Sequence, residues 1–321
     1  MDKLFFSLIF VFLFILVGTK YLKNFLEKKK ILDIPNVRSS HLKPVPTGGG
    51  WIINLCIVGI IFFLDPYDKI PAIITILGLA FVSWKNDIKN LNIGIRLLFQ
   101  IFFISIYFVY LYNFGFYKES QLIYVLFIIL IFTWFINIFN FMDGVDGISA
   151  IMTITICIGV IFAYISNNSE YFPSFEVLIT STCLAFLYWN WKPAKIFLGD
   201  VGSIVLGFVC ILSLYWLFLD GNTWHWVLSL PMYYVLDTTL TLINRFIKGK
   251  KIWQAHSEHF YQKAVQSGMN HSQVVKLIIA LQIIIITTCY FIKDPYLVVF
   301  LAFIESLGLI IYFSSKYKKS T

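Results

Sequence analysis

Long apolar runs, each closed by a short polar break, repeat from one end of the chain to the other. Eleven stand out, over residues 4–22, 49–64, 70–85, 96–114, 121–139, 148–166, 174–190, 204–219, 224–244, 274–292 and 296–314. Most approach the roughly 17–25 residues a helix needs to cross a bilayer core. In that core every backbone N–H and C=O must be paired within its own segment, so runs of this kind become helices. The pattern predicts an all-α polytopic membrane protein with about eleven transmembrane helices, built as one integral-membrane domain over residues 1–321. The first run is longer than a signal-peptide core and shows no A-x-A site, so it reads as a membrane anchor.

Composition agrees. The chain is 59% hydrophobic and only 13% charged, too few polar groups to cover a soluble globule. The net charge of +8 would point to nucleic acid in a soluble protein. Here the lysines and arginines fall on alternate loops instead. Residues 23–48 carry Lys23, Lys28, Lys29, Lys30, Arg38 and Lys43, and the same side collects Lys85, Lys89, Arg96, Lys192, Lys195, Arg245, Lys248, Lys250, Lys251 and Lys263. The other side has Lys3, Lys69, Lys118 and Lys293. By the positive-inside rule the rich side is cytoplasmic, the N-terminus lies outside and the C-terminus inside. The charge then needs no nucleic acid. Cys56, Cys157, Cys183, Cys210 and Cys289 lie within apolar runs without a C-x-x-C pair, which suits packing rather than zinc or disulfides.

With the spans oriented, the polar motifs gather in five cytoplasmic segments. "DIPNVRSSHLKPVPTGGG" (33–50) has prolines that forbid a long helix and glycines that allow a close backbone approach; Arg38, His41 and Lys43 are phosphate candidates. Its plainer reading is a basic loop on anionic lipid. "WKNDIKNLNIGIRLLFQ" (84–100) has Asp87 as its one acid. "NIFNFMDGVDGIS" (137–149) spaces Asn137, Asn140 and Asp143 by three, one face of a continuing helix, with Asp146 three further on. Turn chemistry would explain either acid alone, but not two acids with two amides at the end of an apolar run. "KIFLGDVGSIVLGF" (195–208) sets Asp200 between Gly199 and Gly202 at a span's start, as a Mg²⁺ ligand or a helix cap, and Ser203 suits the cap as well. "NRFIKGKKIWQAHSEHFYQKAVQSG" (244–268) is basic, with His256 and His259 three apart; the positive charge and the missing H-E-x-x-H spacing favour phosphate or sugar over zinc. Asp237 and Glu305 lie inside spans, where acids are functional suspects; Asp237 is expected to line the same cavity.

Together these segments put carboxylates, bases and glycine turns on one face of an apolar body, a setting for Mg²⁺-dependent chemistry on a phosphorylated substrate with a lipid co-substrate. In order and type they resemble the polyprenyl-phosphate N-acetylhexosamine-1-phosphate transferases, the glycosyltransferase family 4 membrane enzymes, from Asp33 to about Gly268. "FLGDVGS" is close to that family's F-L-G-D-x-G-S signature and "NIFNFMDGVDG" to its N-x-x-N-x-x-D-G-x-D-G. "AHSEHFYQKAVQSG" is similar to the histidine loop of its O-antigen-initiating branch.

The resemblance implies a transfer of N-acetyl-hexosamine-1-phosphate from a UDP-N-acetyl-hexosamine to undecaprenyl phosphate at the bacterial inner membrane, with Mg²⁺, or Mn²⁺ in its place, and with homo-oligomerisation left open. It implies that Asp200 is the metal ligand. On this reading Asp87, Asp143, Asp146, His256 and His259 are catalytic, and Lys43, Asn86, Asn137, Asn140, Gly199 and Ser203 contact substrate. The family's usual Asp-Asp pair is Asn86-Asp87 here, and Ser257 stands where the histidine loop usually has Arg. The rival readings are a catalytically degenerate family member and a transporter of an anionic or lipid-linked substrate.

Overall fold

The computed structural model describes residues 2–35, 43–64, 68–89, 91–118, 121–254 and 256–320. The chain is helical almost throughout. In order come α1 (Asp2–Lys28), strands β1 (Leu32–Asp33) and β2 (Val45–Pro46), α2 (Gly50–Leu64), α3 (Lys69–Lys89), α4 (Ile93–Asn113), α5 (Leu122–Phe141), α6 (Ile148–Ser166) and α7 (Ser174–Asn190). Then follow α8 (Asp200–Leu219), α9 (Trp224–Ser229), α10 (Met232–Ile247), α11 (Phe260–Gln266), α12 (His271–Phe291) and α13 (Pro295–Ser320).

Among the described residues seven helices are long and apolar enough to cross a membrane: α1, α4, α5, α6, α8, α12 and α13. Eleven spans were expected, and every predicted run does fold as helix. The remaining four runs also fold as helix but miss that length or apolar composition, for readable reasons. α2 has 15 residues and α7 has 17. α3 carries Lys69, Lys85, Asp87 and Lys89 at its ends. The ninth run breaks before Met232 into α9 and α10, where Pro231 supplies no N–H to continue the helix.

α8 is apolar on every side and forms the centre of the bundle, with α2, α3, α5 and α6 packed on it. α7 fills the space between α1 and α6, and α13 lies along α9, α10, α11 and α12. The outward faces of α1, α4 and α13 expose Phe6, Phe10, Leu98, Phe102, Phe300 and Ile311, as a lipid-facing surface should. Polar linkers converge at two ends. At one, Asn167 and Ser169 meet Gly221 and Asp220. At the other meet the five segments picked out by sequence.

The glycine triplet ties the first segment to the fourth. β1 pairs antiparallel with β2, and Phe197 donates its backbone N–H to Pro46 O at 2.8 Å. Gly49 and Gly50 donate in turn to Phe197 O and Leu198 O at 2.8 and 2.9 Å. The backbones approach so closely that a Cβ on Gly50 would sit 2.2 Å from Gly202 Cα. Only glycine at both positions permits this crossing.

Candidate functional site

The site begins at the N-terminus of α8. Gly199 adopts φ +74°, a turn that leaves the first N–H groups of the helix without a cap of its own. Asp87, from the end of α3, supplies one. Its two carboxylate oxygens accept from Asp200 N at 3.0 Å and Val201 N at 3.1 Å. A carboxylate there also complements the positive end of the helix dipole. Asp87 therefore fixes where Asp200 points.

Asp200 is partly exposed and is held from three other elements. Asn86 donates to Oδ2 at 2.7 Å and Asn140 to Oδ1 at 2.8 Å. The Asn140 amide also reaches Ser203 Oγ at 2.8 Å, and Arg96 lies 3.8 Å from Oδ2. Asn137, one turn back on α5, bonds instead to Gln100 Oε1 and Thr133 O, both at 2.7 Å, away from Asp200.

The turn between α5 and α6 separates its two acids. α5 ends at Phe141, so Asp143 leaves the helical face of Asn137 and Asn140. Asp143 is half-buried and accepts from Ser149 Oγ at 2.7 Å. Asp146 is buried under the turn, where it accepts from Ala194 N at 3.1 Å and lies 3.1 Å from His271 Nδ1 and 3.8 Å from Lys192 Nζ. Burial alone would push Asp146 up, but His271, the Ala194 N–H and Lys192 hold it below the ordinary carboxylate value. Among the described residues Asp143 has no basic group at ion-pair distance, only the Ser149 hydroxyl. Burial, with the charges of Asp200 and Asp146, raises it to about 7, and burial with the charge of Asp200 raises Asp87 to about 8.

This mutual repulsion is a physical test for a cation. Asp87, Asp143 and Asp200 crowd one another with Arg96 as the one basic group bonded to Asp200 among the described residues. No described cluster of three or more His, Cys, Asp or Glu forms a ready-made metal cage. Mg²⁺ does not ask for one: it takes one or two carboxylates and fills the rest with water and substrate phosphates. The exposed edge of Asp200, next to Asp143, fits that ion.

The histidine segment closes the site from the C-terminal half. Asp237, fully buried in α10, accepts from the Phe260 and Tyr261 N–H groups at 3.1 Å each, and His259 Nδ1 lies 3.1 Å from its Oδ1. It thus starts α11 and orients His259, and it does so from the protein interior rather than from a cavity wall. His256 stacks on the His259 ring, centroids 4.9 Å apart. Burial, then the neighbouring His259 and Arg245, depress His256 to about 4. Glu258 pairs with both Arg245 and Lys250. Tyr261 O–H donates to Phe141 O at 3.1 Å and fills the space beside Gly144, so this segment sits directly on the Asp143 turn. Lys43 is exposed, and Arg38 and His41 lie outside the described residues.

The structure thus joins Asn86, Asp87, Asn140, Gly199, Asp200 and Ser203 by direct contacts, with Asp143 in electrostatic reach and His256 and His259 on the far side of the Asp143 turn. Neither His271 nor Arg96 is among the site residues expected from the sequence. The signal for His271 was present: Asn270 and Gln273 form a capping box at the start of α12, which marks a defined helix end. Arg96 reads in the sequence as a loop charge and a candidate partner of Asp87, and the structure sets it beside Asp200 instead. Glu305, without an evident partner in sequence, accepts from Thr288 Oγ1 at 3.1 Å.

Residues 70–217 match the family described as glycosyl transferase family 4. A phospho-N-acetylmuramoyl-pentapeptide-transferase of Dictyoglomus turgidum is 33% identical over 231 residues, 66% of this chain and 73% of that protein. The "Probable undecaprenyl-phosphate N-acetylglucosaminyl 1-phosphate transferase" of Bacillus subtilis is 32% identical over 33% of this chain, and the match spans only 30% of that protein. A decaprenyl-phosphate N-acetylglucosaminephosphotransferase of Mycobacterium leprae is 27% identical over 32% of this chain and 29% of its own length.

Proposed function

The chain belongs to glycosyl transferase family 4, and from that premise we propose that it transfers N-acetyl-hexosamine-1-phosphate from a UDP-sugar to undecaprenyl phosphate, at the cytoplasmic face of a bacterial inner membrane. The observation that carries this reading is Asp200, oriented by Asn86, Asn140 and the Asp87-capped α8 terminus, at the basic end of an apolar bundle. The names of the relatives from Bacillus subtilis and Dictyoglomus turgidum support undecaprenyl phosphate as the acceptor and a phospho-N-acetyl sugar as the group transferred.

In the reaction an oxygen of the lipid phosphate attacks the β-phosphorus of the UDP-sugar. A new phosphoanhydride bond forms, the bond between the α and β phosphates breaks, and its electron pair leaves with UMP. One phosphoanhydride replaces another, so catalysis rests on positioning and charge neutralisation. Asp200 would hold Mg²⁺, with Asp143 beside it; when bound, the ion neutralises pyrophosphate charge as a Lewis acid. Asp87 positions Asp200. Asn140 binds both Asp200 and Ser203 and so sets the edge presented to the nucleotide. His259, buried and fixed through Nδ1 by Asp237, carries the His256 ring stacked on it, and through His256 this pair would contact phosphate or sugar. The lipid phosphate needs little help from a base, because a phosphate monoester is mostly dianionic at pH 7. An amide at Asn86 is therefore compatible with turnover. The histidine loop favours the O-antigen-initiating branch, with N-acetylglucosamine or a 6-deoxy N-acetyl sugar as cargo.

The test is UMP release by the purified chain given undecaprenyl phosphate, Mg²⁺ and a panel of UDP-N-acetyl sugars. Release that requires lipid and metal, and that disappears in Asp200→Asn, is the expected result. Release that survives Asp200→Asn would overturn the metal assignment. No release with any sugar, from folded protein, would favour the degenerate reading.

A further inference from the structure

A basic pocket opens between the start of α12 and the end of α13. It is a cavity of about 540 Å³ lined in part by Gly268, Gln273, Lys276, Leu277, Tyr312 and Lys316. That size is within the range that holds small ligands. Lys276 and Lys316 come from different helices, both are exposed, and among the described residues no carboxylate pairs with either. The Lys316 ammonium is held 5.4 Å from the centre of the Tyr312 ring, which keeps it at the pocket rather than free in solvent. Among the described residues the lining makes no hydrogen bond or ion pair with Asp87, Asp143 or Asp200, so the pocket is separate from the acidic site.

Depth and surroundings say what fits. Lys276 lies five residues into α12, about 7.5 Å along the helix, and its long stem can carry the charge back to headgroup level. Beyond Leu277 the two helices expose an apolar strip, with Ile283 and Ile284 on α12 and Ile304 and Ile311 on α13. Two unpaired ammonium groups above a lipid-facing strip match an anionic head on two hydrocarbon chains, and basic pockets between cytoplasmic helix ends suit such lipids. A soluble anion would use the lysines but leave the strip without purpose.

We propose that this pocket seats the phosphate headgroup of an anionic phospholipid of the phosphatidylglycerol class, from the cytoplasmic leaflet, as a bound structural lipid. It is separate from any lipid the acidic site acts upon.

The full chain is reconstituted in phosphatidylethanolamine bilayers containing a minor fraction of phosphatidylglycerol, extracted gently, and weighed intact by native mass spectrometry. Retention of phosphatidylglycerol in preference to phosphatidylethanolamine is expected, falling about fivefold for each lysine reversed in Lys276→Glu and Lys316→Glu. Lys29→Glu, on the same face but outside the pocket, should retain lipid like the unaltered chain. If the charge reversals unfold the protein, Lys276→Gln and Lys316→Gln give the same reading with smaller losses. Equal retention of both lipids, undiminished retention in the double variant, or displacement of the lipid by inorganic phosphate or by undecaprenyl phosphate would each overturn the assignment. No sugar nucleotide is present, so the result stands apart from the transferase test.

Discussion

Asp87, Asp143, Asp146 and Asp200 are the same residue type within one end of one bundle, yet their surroundings give them different work. Asp146 has been made a structural anion by His271, Lys192 and the Ala194 N–H. Removing His271 leaves that buried carboxylate short of a partner, so His271→Ala should lose roughly 1–3 kcal/mol of stability. The loss should shrink in the His271→Ala, Asp146→Ala double variant; additive losses in thermal unfolding would show that the two side chains act independently. Asn86 makes the opposite case. Its amide donates to Asp200, and Asn86→Asp would set two carboxylates against each other. The variant should melt lower than the parent without Mg²⁺ and recover when Mg²⁺ is added, and an unchanged midpoint in chelator would contradict this geometry. His256, pushed down to about 4, stays neutral at pH 7, and its cost to folding appears as pH falls below about 6.5, where the unfolded chain takes up the proton first. Isotope-labelled histidine resonances should show one ring titrating far below the ordinary range. Replacing His259 by Asn, which removes a cause of the depression, should move that midpoint upward.

At the scale of elements, the apolar runs made every long helix legible, because lipid demands of each segment that it satisfy its own backbone. The break at Pro231 was also written in the chain, but a hydropathy run averages across a single proline. The "GGG" of the first segment was legible as a close approach, though not what approached, since Gly202 is far along the chain. That contact gives a sharp expectation. A Cβ on Gly50 would meet backbone, which cannot swing aside as a side chain can, so Gly50→Ala should destabilise the crossing of α2 and α8 by about 1–3 kcal/mol. It should also misplace Asp200, because Gly49 and Gly50 hold the segment that enters α8. Gly59→Ala, with open space at its Cβ, serves as the control and should unfold like the parent. Equal midpoints for the two variants would mean that the crossing tolerates displacement.

The whole molecule is a one-sided device: apolar helices carry five polar segments to a single end, and the contacts of Asp87 with Asp200, of Asp146 with His271 and of Asp237 with His259 tie that end together across the bundle. Sequence showed which residue types gather there, because charge is costly inside a membrane and therefore conspicuous. It did not show which acid points outward, since Asp146 and His271 are 125 positions apart and only folding pairs them. Which side of the membrane this end faces follows from the lysine bias alone, and it can be tested without any substrate. All five cysteines are free and buried, so the folded chain offers little background to a membrane-impermeant thiol reagent. A cysteine placed at exposed Gln254 belongs to the basic end, and one at exposed Glu170 to the other. In right-side-out vesicles Glu170→Cys should label and Gln254→Cys should not, and inverted vesicles should exchange the two. The reverse pattern would place the acidic site outside the cell, where cytoplasmic UDP-sugars do not reach it, and would remove the transferase reading along with the orientation.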